Sequence, residues 1–217
     1  MRVVIFAGGT VQAGTKVNTA LARADLIIAA DSGAETALHY GHVPAIVVGD
    51  FDSLGMPASE LEAKGSKLVR AAVEKDETDT ELAIQVALEH GATEITLLGA
   101  IGGARFDHTM ANILLLAGIE TVPLRIIDGP MTCWLLRGPG STPIVGQQGD
   151  LLSLFPLTGE TTGVRTRNLY YPLYGETLHF GRPRGVSNVL TGEQGEVAMA
   201  SGTLLVIHTS VQELKER

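Results

Sequence analysis

An alternation constrains this chain's fold more than any other feature. Through the first 130 residues, short and mostly apolar runs are spaced by stretches of helical periodicity. The runs are Val3-Val4-Ile5-Phe6, Leu26-Ile27-Ile28, Ala45-Ile46-Val47-Val48, Ile95-Thr96-Leu97-Leu98 and Leu124-Arg125-Ile126-Ile127. A strand that is apolar on both faces must be covered on both, which predicts a parallel sheet between two layers of helices. Two intervening segments carry helix boundaries. Thr78 and Glu81 stand at capping-box spacing ahead of a helix that stops at Gly91. A second helix starts near Asp107, carries Met110, Ile113, Leu114 and Ala117, and stops at Gly118. After Met131 the helical period fades. Leu151 to Phe155, Gly163 to Tyr171 and Leu204 to His208 read as β-runs, punctuated by Gly, Pro and Thr. The expected fold is therefore α/β then all-β: a three-layer parallel-sheet domain over residues 1–130, then an antiparallel β-sandwich over 131–217, with the break between Asp128 and Pro143.

Composition narrows what such a chain can do. With 45% hydrophobic and 18% charged residues, intrinsic disorder is excluded for the chain as a whole. No apolar run reaches the ~18 residues of a membrane span, and MRVVIFAGGT is too short an apolar segment for a secretory signal. A single cysteine, Cys133, permits no internal disulfide and points to the reducing cytoplasm. Sixteen basic against 24 acidic residues leave a net charge of −8 without a basic block, which disfavours sequence-independent nucleic-acid binding. An anion bound by this chain must be held by local glycines, a few placed cations or a metal.

The polar chemistry gathers where strands end, the place at which open parallel sheets bind ligands. Leu26–Ala30 runs into Asp31-Ser32-Gly33, and Ala45–Val48 into Gly49-Asp50-Phe51-Asp52-Ser53. Lys67–Arg70 leads to Lys75-Asp76-Glu77-Thr78-Asp79, and Ile95–Leu98 to Gly102-Gly103-Ala104-Arg105-Phe106-Asp107-His108. Any one of these is ordinary turn composition; four at one sheet end describe a cleft. Crowded carboxylates repel unless a cation lies between them, and Mg²⁺ prefers such oxygens. Asp50 and Asp52 can reach one metal, and Asp79 falls in the first turn of a helix whose free N–H groups suit a phosphate. Alone, Asp79 reads as a helix-dipole carboxylate. The GTVQAGTK stretch at 9–16 has P-loop glycine spacing with Thr and Lys transposed, so it is no Walker A. The six histidines give no zinc spacing.

In five segments the sequence resembles thiamin pyrophosphokinases: ADSGA at 30–34, GDFDS at 49–53, KDETD at 75–79, GGARFDH at 102–108 and GVSN at 185–188. GVRTRNLYYPL at 163–173 is similar to a family segment as well. Ser32 stands where the family has Gly, and Val189 where it often has an acid. The resemblance implies transfer of diphosphate from ATP to the hydroxyl of thiamin, with release of AMP. It implies Asp50, Asp52 and Asp79 as Mg²⁺ ligands. Asp31, Lys75, Asp76, Thr78, Arg105, Asp107 and His108 would line the nucleotide and phosphate region, Asp76, Arg105 and Asp107 among them as catalytic groups. Ser187 and Asn188 fall to the thiamin side, and the family works as a homodimer with thiamin at the subunit interface.

Three rival readings remain at this level. A diphosphotransferase acting on another alcohol, such as a hydroxymethylpterin, would share the acidic cleft. A sugar nucleotidyltransferase would use the VVIFAGGT opening and an Asp-x-Asp, yet leaves KDETD and GGARFDH without a role. A regulatory module that only binds thiamin or a nucleotide would not need the full set of carboxylates.

Overall fold

The computed structural model describes residues 1–215, which fall into two units, the first Met1–Gly129 and the second beginning at Pro130. In the first unit the order is β1 (Arg2–Phe6), α1 (Thr15–Ala22), β2 (Leu26–Ala30), α2 (Gly33–His39), β3 (Ile46–Gly49), α3 (Ala58–Ala63), β4 (Lys67–Arg70), α4 (Asp79–Glu89), β5 (Glu94–Leu98), α5 (Phe106–Gly118) and β6 (Leu124–Asp128). Its six strands run β6-β5-β1-β2-β3-β4, every pair parallel. Because side chains alternate across a strand, β1 serves two layers. Val4 and Phe6 cluster with Ala29, Val47, Val17, Leu21, Ala37 and Leu61, and so with α1, α2 and α3. Val3 and Ile5, on the opposite face, are buried too, and α4 packs against β1, β2 and β3.

The helix boundaries follow the sequence signals closely. Thr78 caps α4, its hydroxyl oxygen accepting the Glu81 N–H at 3.2 Å. The apolar residues that define α5 in the sequence are, however, not the ones it buries. Met110 and Leu114 are 41% and 55% exposed, while Asn112 and Leu116 are buried. Asn112 faces inward because its amide donates to the Ala100 carbonyl at 2.9 Å, holding the β5–α5 loop. A helix apolar on most sides does not announce its inner face.

The second unit contains β7 (Met131–Arg137), β8 (Gly140–Val145), β9 (Leu151–Pro156), β10 (Glu160–Arg167), β11 (Tyr174–His179), β12 (Gly185–Val189), β13 (Gln194–Met199) and β14 (Thr203–Thr209), then the short α6 (Val211–Lys215). They form two antiparallel sheets, β12-β9-β14-β7 and β11-β10-β13-β8. Alternate residues meet between the sheets: Leu136, Leu152, Leu154, Leu204 and Val206 from one, Ile144, Val164, Leu178, Val197 and Met199 from the other. The run expected over Gly163 to Tyr171 is shifted. The strand opens at Glu160 and ends at Arg167, because Asn168 turns left-handed at φ 56° and its amide donates to the Gln194 carbonyl at 2.8 Å. Among the described residues, no helix is long and apolar enough to cross a membrane.

Candidate active site

Three parallel strands deliver the acidic residues. Asp31 follows β2, Asp50 follows β3, and Asp79 opens α4, which β4 leads into. The β2–β3 ladder continues one step past the strand, the Asp31 N–H donating to the Val48 carbonyl at 2.8 Å. Gly49 makes the close approach possible, since a Cβ there would stand 3.1 Å from that of Asp31. As a result Asp31, Asp50 and Asp79 each place a carboxylate oxygen within 4.8 Å of the others.

Asp31 is the most constrained of the three. It is only 6% exposed, and its backbone is left-handed at φ 46°. Ser53 Oγ donates to its Oδ2, whereas Oδ1 is buried without a hydrogen-bond partner. Burial, above all, pushes the Asp31 carboxyl above the ordinary range; the charges of Asp79 and Asp50 push the same way, and the Ser53 hydrogen bond opposes them. Lys75 answers this charge. Its Nζ lies 2.9 Å from Asp79 Oδ1 and donates to the Ala72 carbonyl at 3.2 Å. That hydrogen bond to Asp79 holds the ammonium above its usual pKa, with help from the fields of Asp79, Asp50 and Asp31 and against partial desolvation. An all-oxygen, carboxylate-rich group with an orphaned buried oxygen fits a hard divalent cation such as Mg²⁺.

The sequence reading expects Asp52 in this group and Asp31 on the nucleotide side; in the structure the close group holds Asp31 with Asp50 and Asp79, and Asp52 lies beside it on the same loop. Asp52 is exposed, its Oδ1 lying 3.1 Å from Ser53 Oγ, and its N–H donates to Asp50 Oδ1 at 3.2 Å. Asp76 is exposed as well. Between Asp50 and Asp52, Phe51 turns left-handed at φ 67°, so the two carboxylates do not share a face as they would in a strand. Arg70 supports this bend, its guanidinium 4.9 Å from the centre of the Phe51 ring and its Nη1 reaching the Asp50 carbonyl at 3.5 Å. Glu35, from α2, accepts the Gly55 N–H of the same loop. Sequence reasoning missed Arg70, Glu35 and Ser53. Arg70 left a signal as the last residue of a strand whose neighbours end in acids, and Ser53 as the last residue of GDFDS. A cavity of about 350 Å³ adjoins, with Val48, Val69, Leu82 and Val86 in its wall and Arg70 and Lys75 among its polar residues.

At the start of α5, Arg105 and Asp107 are engaged with each other on the surface. Arg105 Nε donates to Asp107 Oδ1 at 3.0 Å and its Nη2 to Oδ2 at 2.6 Å. The guanidinium holds the Asp107 carboxyl down to about 2. His108 is exposed, and its backbone N–H donates to the Arg105 carbonyl at 3.1 Å. In the second unit, Ser187 sits exposed at a register shift of β12 with φ 59°, its N–H donating to Ser153 Oγ at 3.1 Å. Asn188 beside it is 7% exposed and hydrogen-bonded to the backbone of Tyr171.

An α/β unit with clustered aspartates at its strand ends, followed by an antiparallel sandwich, is the architecture of a family of transferases of the kinase class. The family described as "Thiamin pyrophosphokinase, catalytic domain" matches residues 17–127, and "Thiamin pyrophosphokinase, vitamin B1 binding domain" matches 143–204. The thiamine pyrophosphokinase of Bacillus subtilis is 31% identical over 189 residues, covering 85% of this chain and 87% of its own. A crystal structure of thiamine pyrophosphokinase from the same organism superposes with a TM-score of 0.84 at 28% identity, over 97% of this chain and all of that one. That of the Geobacillus thermodenitrificans enzyme gives 0.81 at 26% identity, over 97% and 98%. The chain belongs to the thiamin pyrophosphokinase family, and its activity is that family's, thiamin diphosphokinase.

Proposed function

We propose that the chain transfers the terminal diphosphate of ATP to thiamin at the Asp31–Asp50–Asp79 group, in the presence of Mg²⁺. The observation that carries the site is the convergence of these three carboxylates within 4.8 Å, together with Asp31 Oδ1, buried without a hydrogen-bond partner. The thiamin hydroxyl oxygen bonds to the β-phosphorus, the bond from that phosphorus to the α,β-bridging oxygen breaks, and AMP leaves. Transfers of this kind depend on positioning and charge neutralisation.

Asp31, Asp50 and Asp79, joined by Asp52 from the same loop, would hold the cation. Mg²⁺ bound there supplies the positive charge that polyphosphate oxygens need and that a chain of net charge −8 lacks. Lys75 and Arg105 bind phosphate oxygens; Arg105 does so with a planar fork once it lets go of Asp107. The N-terminus of α4, capped by Thr78, presents backbone N–H groups to the same anion. Asp76 and His108 stand at the rim on the nucleotide side. An aspartate of the group, in its ionised form, takes the proton of the thiamin hydroxyl. In the second unit, Ser187 offers a hydroxyl to thiamin and Asn188 shapes the adjoining loop. The working form is a homodimer in the cytoplasm.

The test is the nucleotide product from thiamin, ATP and Mg²⁺, separated by ion-pair chromatography. AMP is expected. ADP would mark an ordinary kinase, and free pyrophosphate a nucleotidyltransferase. Sedimentation at micromolar concentration checks the dimer. A pterin diphosphotransferase is not favoured, since the family matches in both units describe thiamin pyrophosphokinases.

A further inference from the structure

We infer that Lys75 is the resident counter-ion of the aspartate group, displaced from Asp79 when a divalent cation binds and thereby released to the phosphates of the nucleotide. The inference rests on the proposed cation site and adds to it an order of events: Lys75 becomes available to the nucleotide only after the metal has entered.

Three carboxylates within 4.8 Å of one another cannot stay ionised together without a nearby positive charge. Among the described residues, Lys75 is the one cationic side chain in an ion pair with the three, at 2.9 Å from Asp79 Oδ1. The pair is well shielded, the Lys75 and Asp79 side chains being 13% and 27% exposed. A divalent cation bound among the aspartates would stand only a few ångströms from this ammonium. At that range the two charges repel strongly in a half-buried site, so the aspartates accommodate one or the other.

Lys75 is also built to move. It precedes α4 on an irregular segment, and the bonds holding its ammonium are those to Asp79 and to the Ala72 carbonyl. Its four-carbon stem can swing without a change in the backbone. It has a place to go, because Lys75 also lines the cavity of about 350 Å³ that it shares with Arg70 and Gln85. A lysine that served the phosphates from the outset would not be spent on a ligand of the metal.

The exchange makes two effects of one substitution point in opposite directions. Binding of Mn²⁺ alone, without nucleotide, is measured by electron paramagnetic resonance of the free ion. Lys75→Met removes the competitor and should bind Mn²⁺ about tenfold more tightly than the natural chain, while its KM for ATP rises about tenfold. Lys75→Arg retains the charge and should keep Mn²⁺ affinity within about twofold. Equal or weaker Mn²⁺ binding by Lys75→Met overturns the exchange. The natural protein gives a second reading that needs no variant to fold: among its five lysines, the Cε–Hε NMR signal of Lys75 should move on addition of Mg²⁺ alone and return with EDTA. A stationary signal overturns the exchange as well. Asp50→Asn separates the underlying site from the exchange. If that variant binds Mn²⁺ as tightly as the natural chain, the aspartate site itself is wrong and the exchange falls with it. If it loses Mn²⁺ while Lys75→Met shows no gain, only the exchange is wrong.

Discussion

Asn188 grips both backbone groups of Tyr171: its Oδ1 accepts the Tyr171 N–H at 3.0 Å, and its Nδ2 donates to the Tyr171 carbonyl at 2.7 Å. The same Oδ1 takes the Val189 N–H at 2.9 Å. One buried side chain thus stands in for a missing strand along the segment that follows β10. That segment displays Tyr170 and Tyr171, 66% and 64% exposed, with rings edge-to-face at 4.8 Å. An amide so committed has one N–H left over, which alters the role expected of it. Under the proposed function, Asn188 would serve thiamin chiefly through the loop it holds.

Asn188→Ala should therefore lower stability by about 2 kcal/mol, since it removes three part-buried hydrogen bonds to the backbone, and raise the KM for thiamin well above any change in kcat. Calorimetry and steady-state kinetics on one preparation check this. An unchanged melting temperature with a raised KM would restore the direct contact.

The aspartates make the sharpest test of the catalytic reading. Asp31→Asn, Asp50→Asn and Asp79→Asn should each lower turnover at saturating Mg²⁺ by at least ~10²-fold, the scale of losing a key electrostatic stabiliser. Folding should be little disturbed, because each change relieves crowding among like charges. Asp52→Asn is the discriminating variant, since its carboxylate lies outside the close group. A loss comparable to the other three is expected; near-normal turnover would leave the site to those three. EDTA should silence the natural chain.

Much of this arrangement was legible because backbone rules produce it. Apolar runs, Thr78 with Glu81 three residues on, and glycines at the ends give strands and helices their bounds, and strand ends then place the acids. What the sequence did not disclose depends on local twists. Phe51 at φ 67° separates two aspartates that spacing alone would pair, and Asp31, itself left-handed, stands close to Asp50 and Asp79. Nor could spacing reveal that Asn112 is an inner residue of α5 or that Asn188 is consumed by Tyr171, because both depend on carbonyl or N–H groups brought from other segments.

Arg105 tests the phosphate side. Its guanidinium is exposed and held by Asp107, so it is available to an anion at little cost in stability. Arg105→Lys keeps the charge and loses the fork, and should raise the KM for ATP about tenfold while leaving the KM for thiamin and the melting temperature nearly unchanged. A fall in melting temperature at constant KM for ATP would assign Arg105 to structure.

The last expectation concerns acid stability in the second unit. Asp150, 3% exposed, takes hydrogen bonds from the N–H of Gln147 at 2.9 Å and of Val211 at 3.1 Å, and its Oδ2 meets His208 Nε2 at 3.0 Å. Desolvation alone would raise its pKa, but these partners outweigh it and leave the carboxyl below its ordinary value. A carboxyl depressed on folding contributes stability that is complete above the unfolded pKa, near ~4, and lost as the pH falls through the folded value. Asp150→Asn should thus cost about 2–3 kcal/mol at pH 7, and the gap to the natural chain should close progressively below about pH 4. Gly146→Ala gives an independent check, because a Cβ there would come within 2.6 Å of Asp150 Oδ2 and 2.7 Å of His208 Nε2 and force the pair apart. Urea denaturation between pH 3 and 7 reads both variants, and a gap that stays constant across that range would mean that the charge on Asp150 contributes nothing.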